Sequence, residues 1–394
     1  RQHGSGTTWP AKNVWCRKRR PAGALSGAFV PWDSPICLTR GGSVRFWSLK
    51  APTAFRSCRS NLGQGAYILA PAAPELSPAE AAFFRDADPW GFILFQRNCE
   101  TPDQLRRLTS LLREAVGREA PILIDQEGGR VQRMRAPHWR EWMPPLDQVE
   151  KTGSERAMYL RALLIGTELM AHGIDVNCAP SADIAWPATH PFLRNRCYGT
   201  DARTVAVMAR ACAEGLMDAG CLPVVKHAPG HGRATLDSHK DLPKIDIPLA
   251  ELMNTDFAPF RRLADLPMVM TAHIVLPEID PRLPLTLSPE GVRYLRNDLG
   301  LTGLLITDDI SMGALQGSVA DRGQVAQAAG CDLVLHCNGD LQEMKSLSDR
   351  LGAMTPEAAQ RADVALSHRR TPTDIDIPAL EAEFTALIGG ADNA

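Results

Sequence analysis

Eight short apolar runs recur between residues 66 and 336, each parted from the next by a stretch of helical period or of turn residues. This alternation restricts the fold more than any other feature of the chain. The runs are 66–70, 91–95, 121–125, 174–179, 222–226, 268–273, 304–308 and 331–336. Runs of this length with little polar interruption read as strands buried on both faces, as in a parallel sheet covered by helices. Helix starts fall between them. Ser77-Pro78-Ala79-Glu80 supplies a capping serine, a proline at the first helical position and a glutamate able to reach back to the cap. Thr101-Pro102, Asp201, Ser288-Pro289-Glu290 and Thr355-Pro356-Glu357 open further helices. Behind Thr101, Leu105, Leu108, Leu112 and Val116 share one face; behind Asp201, Val205, Met208, Cys212 and Leu216 do so. Eight strands alternating with helices predict a closed (β/α)8 barrel. An open doubly wound sheet is the competing fold, but no G-x-G-x-x-G follows the first run, and Gly128-Gly129 is too short for a phosphate loop.

The polar residues support the barrel by where they fall. Asp125 ends the third run, Asn177 and Asp183 lie in and beyond the fourth, and Lys226-His227 end the fifth. His273 ends the sixth and Asp308 the seventh. Barrel enzymes build their sites at the C-terminal ends of the strands.

With 44% apolar and 22% charged residues among 394, the composition is that of an ordinary globular protein. No apolar run reaches membrane-spanning length, which excludes a transmembrane helix. Ten cysteines without a C-x-x-C pair argue against zinc ribbons and disulfide scaffolds and for reduced thiols in a cytoplasmic setting. Charge is uneven: residues 1–62 hold eleven Lys/Arg against one acid (+10), and the rest hold 32 against 44 (−12). That first segment also carries four of the eight tryptophans and has no hydrophobic periodicity. Arg17-Lys18-Arg19-Arg20 is a basic patch of the kind that meets nucleic acid or a membrane surface. A basic leader also suggests a transit peptide, which the Trp and Pro content fits poorly. We expect residues 1–62 to lie outside the enzyme fold and 63–394 to form one catalytic domain, with neither nucleic acid nor membrane as a partner.

The segment from Val225 to His239 is the densest in chemistry. It holds Lys226, His227, His231, Asp237 and His239, broken by Pro229, Gly230 and Gly232. So many ionisable groups beyond a strand predict a polar active-site loop rather than core. Asp237 stands two residues before His239, close enough to orient an imidazole that exchanges protons near neutrality. Asp308 and Asp309 end the seventh run, where two adjacent acids are costly unless solvated or used. One of them suits a nucleophile or base; the plainer reading is a helix cap with a first-turn carboxylate. Asp125 and Arg133 flank a Gly-Gly turn, placed either to bind hydroxyl groups or simply to tie the loop. Arg196 is a weaker candidate for the same pocket. A zinc site would draw on His227, His231, Asp237, His239 and His273. Pro229 and Gly230 interrupt the His227–His231 spacing and the Lys226 ammonium repels a cation, so the expected site has no metal.

Three ordered motifs together resemble one family. Lys226-His-Ala-Pro-Gly-His-Gly232 with Asp237-Ser-His239, Asp125-Gln-Glu-Gly-Gly-Arg-Val-Gln-Arg133, and Thr307-Asp-Asp-Ile-Ser-Met312 are similar to the β-N-acetylglucosaminidases of glycoside hydrolase family 3. The likeness is to the single-domain bacterial enzymes of cell-wall recycling, and it runs from about residue 66 to about residue 338. It implies a (β/α)8 barrel without the second sandwich domain of larger relatives. By the same resemblance Asp308 matches the nucleophile, His239 the acid/base and Asp237 the residue that orients it. Asp125, Arg133, Arg196, Lys226 and His227 match the positions that hold the N-acetylglucosamine unit. The implied substrate is a β-1,4-linked N-acetylglucosaminyl-anhydromuramyl fragment, with or without peptide, cleaved in the cytoplasm without a cofactor; we expect a monomer. Two positions depart from the pattern: Ala228 replaces the usual aromatic, and Cys197 the usual serine after Arg196. Both bear on the shape of the pocket without removing a charge. Because an imidazole does not repel anions, phosphate in place of water, giving a phosphorylase, is the alternative reaction. A metal-dependent barrel hydrolase and a catalytically silent sugar-binding barrel are the remaining readings. Intact Asp308 and His239 argue against the silent barrel.

Overall fold

Alternation of side chains along the strands organises the molecule. The computed structural model describes residues 65–236, 241–372 and 376–390. The N-terminal segment 1–62 and residues 237–240, with Asp237 and His239, lie outside the described residues. The strands are β1 (Gly65–Leu69), β2 (Pro89–Leu94), β3 (Ile122–Ile124), β4 (Gln126–Gly128), β5 (Val131–Gln132), β6 (Val176–Asn177), β7 (Leu222–Ala228), β8 (Met268–Thr271), β9 (Leu304–Asp309) and β10 (Leu333–Leu335). Eight of them close a barrel in the order β1-β10-β9-β8-β7-β6-β3-β2, with every pairing parallel. β4 and β5 form a separate antiparallel hairpin. The expected (β/α)8 fold is the observed one.

One residue in two points inward. Ile68, Ile93, Leu123, Val224, Met268, Met270, Leu304, Ile306, Leu333 and Leu335 pack in the barrel interior. Their chain neighbours Leu69, Leu94, Ile124, Val225, Val269, Leu305 and Val334 pack in the cluster shared with the helices. A strand buried on both faces has no polar alternation, which is why these segments read as short apolar runs. The helix Pro356–Ser367 contributes Ala362 and Ala365 to the interior cluster. Its Arg361 pairs with Asp332, just ahead of β10, so this helix closes the N-terminal end of the barrel.

The anticipated helix starts are present. Ser77 accepts from the Glu80 N–H while the Glu80 carboxylate returns to the Ser77 N–H. Thr101, Asp201, Ser288 and Thr355 cap their helices through side-chain oxygens. The fourth strand is shorter than its apolar run suggests, and side chains account for this. Asp175 accepts from the Ile122 N–H at 2.7 Å, and Asn177 pairs with both the N–H and the C=O of Gln126 at 3.0 and 3.1 Å. Side chains thus take backbone partners that a longer ladder would have used. Among the described residues, no helix is long and apolar enough to cross a membrane.

Candidate active site

At the C-terminal ends of the barrel strands lies an open concavity with a cavity volume of about 250 Å³, close to the lower end of the usual range for small-molecule sites. Asp125, Arg133, Arg196, Lys226, His227 and Asp308, six of the expected site residues, line it. His231, Asp309, Arg130, Phe192 and Phe95 complete much of its wall. Asp237 and His239, the other two expected residues, fall outside the described residues.

The two acids of β9 differ in the hydrogen bonds they make. Leu304 and Ile306 face the interior, but the register of β9 against β10 shifts between Ile306 and Asp309, so alternation lapses there and both Asp308 and Asp309 line the pocket, each partly exposed. Asp309 is in addition tied into the turn. Its carboxylate accepts from the Ser311 N–H at 3.0 Å, the Ser311 hydroxyl at 2.7 Å and the Cys337 N–H at 3.2 Å. Asp308 Oδ1 accepts from the Asp309 N–H at 2.8 Å. Asp309 thus secures the turn after β9, where a helix cap with a first-turn carboxylate was the plainer reading.

On β7 the register against β8 shifts between Val225 and Ala228, so alternation lapses there and both Lys226 and His227 line the pocket. Contrary to the expectation of a polar loop beyond the core, Lys226, His227 and His231 are all buried. Partners from other strands make this possible. Lys226 Nζ lies 2.8 Å from Asp125 and 2.6 Å from Glu127. Asp125 also pairs with Arg133 at 2.8 Å, and Glu127 grips Arg196 at 2.8 and 2.9 Å. Arg196 then reaches His227 Nε2 at 3.3 Å, and His227 Nδ1 lies 2.8 Å from Asp183. A guanidinium offers only protons, so Nε2 of His227 accepts, and the Nδ1 proton is donated to Asp183. The result is a continuous chain of three cations and three carboxylates, with His227 set between Arg196 and Asp183. Buried charge on this scale is tolerated only when paired.

The ionisation of these groups follows from the pairing. Burial works against the charged form of Lys226, but Asp125 and Glu127 outweigh it and hold the ammonium above the usual lysine range. Burial would likewise raise Asp125 and Glu127. Lys226 with Arg133, and Arg196 with Lys226, instead hold them below the usual carboxylate range. Asp183 is held at about 2 against the effect of burial, with His227 and His231 beside it.

Asp183 is a residue whose role the sequence did not disclose. Besides His227 it accepts from the His231 N–H at 2.6 Å and the Ser181 hydroxyl at 3.1 Å. Glu127 is another: the motif contained it, but no single-residue signal marked it as the link between Lys226 and Arg196. Ala228 and Cys197, expected to bear on pocket shape, do not line the pocket. Cys197 packs with Leu146, Ala185, Phe192 and Leu193, and Ala228 lies in the core shared with the helices. Beyond β7 the chain is held close. A Cβ on Gly232 would come within 2.0 Å of the Ile184 carbonyl oxygen, and Arg233 stacks on Trp186 at 4.0 Å while pairing with Asp256 at 2.7 Å. His273, weighed as a zinc ligand, bonds to Thr286 and to the Asp309 carbonyl. Among the described residues, no group of three or more His, Cys, Asp or Glu is placed to hold a metal ion.

His231 gives the site an acid-sensitive element. Burial pushes its imidazole down to about 4, against the opposing charges of Asp183 and Asp308. The unfolded chain, with a histidine near 6.5, therefore binds a proton that the folded chain refuses between pH 6.5 and about 4. This contribution to stability is complete above pH 6.5 and is lost as pH falls through that window, by about 3 kcal/mol at most. Unfolding measured at pH 7.5 and 4.5 should show a smaller difference in His231→Gln than in the parent protein. An equal difference would exclude His231 as the source.

The family described as glycosyl hydrolase family 3 N terminal domain matches residues 75–368. A beta-hexosaminidase from Bordetella avium is 36% identical over 313 residues, which are 77% of this chain and 88% of that protein. NagZ from Neisseria gonorrhoeae, solved in complex with N-trifluoroacetyl-D-glucosamine, aligns with a TM-score of 0.71 at 30% identity, covering 84% of this chain and 98% of that one. A glycoside hydrolase family 3 beta-N-acetylglucosaminidase from Paenibacillus aligns with a TM-score of 0.74 at 30% identity, over 83% and 67% of the two chains.

Proposed function

The chain belongs to glycosyl hydrolase family 3, and from that membership and its pocket we propose that it is a retaining β-N-acetylhexosaminidase. One observation carries the reading: Asp308 opens into a pocket walled by the paired network of Arg133, Asp125, Lys226 and Arg196. Such a network offers fixed donors and acceptors to sugar hydroxyl and acetamido groups. The names of the Bordetella and Paenibacillus relatives support the same substrate class.

In the proposed reaction Asp308 attacks the anomeric carbon as His239, oriented by Asp237, gives its proton to the departing glycosidic oxygen. A glycosyl–Asp308 ester results. Neutral His239 then takes a proton from water, whose oxygen displaces Asp308 and leaves the sugar with its original β configuration. An imidazole stands where most retaining glycosidases use a second carboxylate. The aglycone we propose is an anhydromuramyl sugar, with or without peptide, in cytoplasmic peptidoglycan recycling by a monomeric enzyme. The seven described cysteines are all unpaired, which agrees with a reducing compartment.

Release of nitrophenol from a β-N-acetylglucosaminide, followed with and without phosphate, tests the reaction. Free N-acetylglucosamine as the product under both conditions is expected. A glycosyl phosphate would assign the chain to phosphorolysis, and no release at all would remove the glycosidase reading.

The catalytic domain we propose comprises residues 63–394, with the family match starting at residue 75. Removing residues 1–62 should leave kcat/KM and melting temperature nearly unchanged. A marked fall in either would mean that this segment packs on the enzyme.

A further inference from the structure

We propose that Glu127 is a positioning residue that presets the sugar pocket by holding Lys226 charged and Arg196 aligned. The inference rests on the N-acetylglucosamine reading above. The Glu127 side chain is fully buried and does not line the pocket, so it does not touch a ligand there. Its two partners do line it. Oε1 of Glu127 lies 2.6 Å from Lys226 Nζ and 2.8 Å from Arg196 Nη2, and Oε2 lies 2.9 Å from Arg196 Nε. Among the described residues, Glu127 is the carboxylate in ion-pair contact with Arg196, whereas Lys226 also has Asp125. One carboxylate thus fixes two cations that come from different strands and loops.

Glu127 is itself held from behind. Its carbonyl accepts from the buried Arg161 guanidinium at 2.6 Å, and Arg161 is anchored to Gln148 at 2.7 Å. The next residue, Gly128, has φ +105°, and a Cβ there would come within 2.0 Å of Arg161 Nη2. The hairpin of β4 and β5 can therefore turn away only at a glycine, leaving the Glu127 carboxylate directed at its two partners.

The consequence is both electrostatic and geometric. Lys226 is faced by the carboxylates of Asp125 and Glu127, the guanidinium of Arg196 and the thiol of Cys178. With Glu127 neutral, burial and Arg196 would act against the ammonium with one carboxylate left to oppose them. Lys226 would then lose its proton at a lower pH, and Arg196 would lose its two-point anchor.

The test is the affinity of the full chain for N-acetylglucosamine, measured by calorimetry from pH 6 to pH 10. The parent protein should bind with little change across this range. Glu127→Gln should bind roughly 10- to 100-fold more weakly at neutral pH and weaken further as pH rises. Glu127→Asp keeps the charge but shortens the reach. It should bind more weakly at every pH without the added alkaline loss, and it carries the test if the glutamine variant does not fold. A glutamine variant that binds like the parent at every pH would overturn the inference, as would a parent-like aspartate variant. So would an equal, pH-independent loss in both, which is what a purely structural tie would give. A parent protein that binds no N-acetylglucosamine would overturn the functional reading and this inference with it.

Discussion

Asp308→Ala should abolish turnover, by roughly 1000-fold or more, while leaving the melting temperature close to that of the parent protein. The size follows from the proposed role, since a covalent nucleophile has no substitute in the first step. The preserved fold follows from position: Asp308 is partly exposed at the mouth end of β9, so truncation opens no cavity in the core. Asp309→Ala makes the contrast. Its carboxylate holds Ser311 and the Cys337 N–H, so its loss should lower stability and reduce activity far less than the loss of Asp308. Kinetics and calorimetry on both variants separate the roles. If Asp309→Ala proved inactive and Asp308→Ala nearly normal, the two acids would have to be exchanged.

The barrel was legible because its strands are buried on both faces, which compresses each into an uninterrupted apolar run between capped helices. Where apolar residues surround a helix on all sides, the signal vanishes. The helix Glu155–Met170 buries Ala157, Met158, Leu160, Leu163, Leu164 and Ile165 and presents no single apolar face to read. The polar residues divide in the same way. Their location at strand ends was legible. Their burial was not, because each partner lies far along the chain: Asp125 is 101 residues from Lys226, and Asp183 is 44 from His227. A run of ionisable groups looks solvated until its counter-charges are brought in by other strands. Glu127 and Asp183 went unassigned for that reason. Their importance is a property of closure, when β3, β6 and β7 come side by side. The separate duties expected of Asp308 and Asp309 came from family resemblance alone, since the register shift of β9 against β10 leaves both at the pocket wall.

His239→Ala should slow substrates according to their leaving group. A natural sugar aglycone departs as a poor alkoxide unless it is protonated, whereas nitrophenolate is already a stable anion. The variant should therefore lose far more activity on a disaccharide than on a nitrophenyl β-N-acetylglucosaminide. Deglycosylation would still lack its base, so with the activated substrate the glycosyl–Asp308 ester should accumulate and become visible as a mass increase on the protein. Azide needs no proton removed to act as a nucleophile. Added azide should restore turnover and yield the β-glycosyl azide, with configuration retained because two displacements have occurred at the anomeric carbon. Equal losses on both substrates, no trapped ester and no azide rescue would confine His239 to binding or loop support. Proton transfer would then fall to another group of the same segment. His231 is the first to examine, because its Nε2 is buried in the pocket wall with no hydrogen-bond partner among the described residues. Burial would count against it, since an imidazole held at about 4 is a weak base and carries too little proton at neutral pH to serve as the acid.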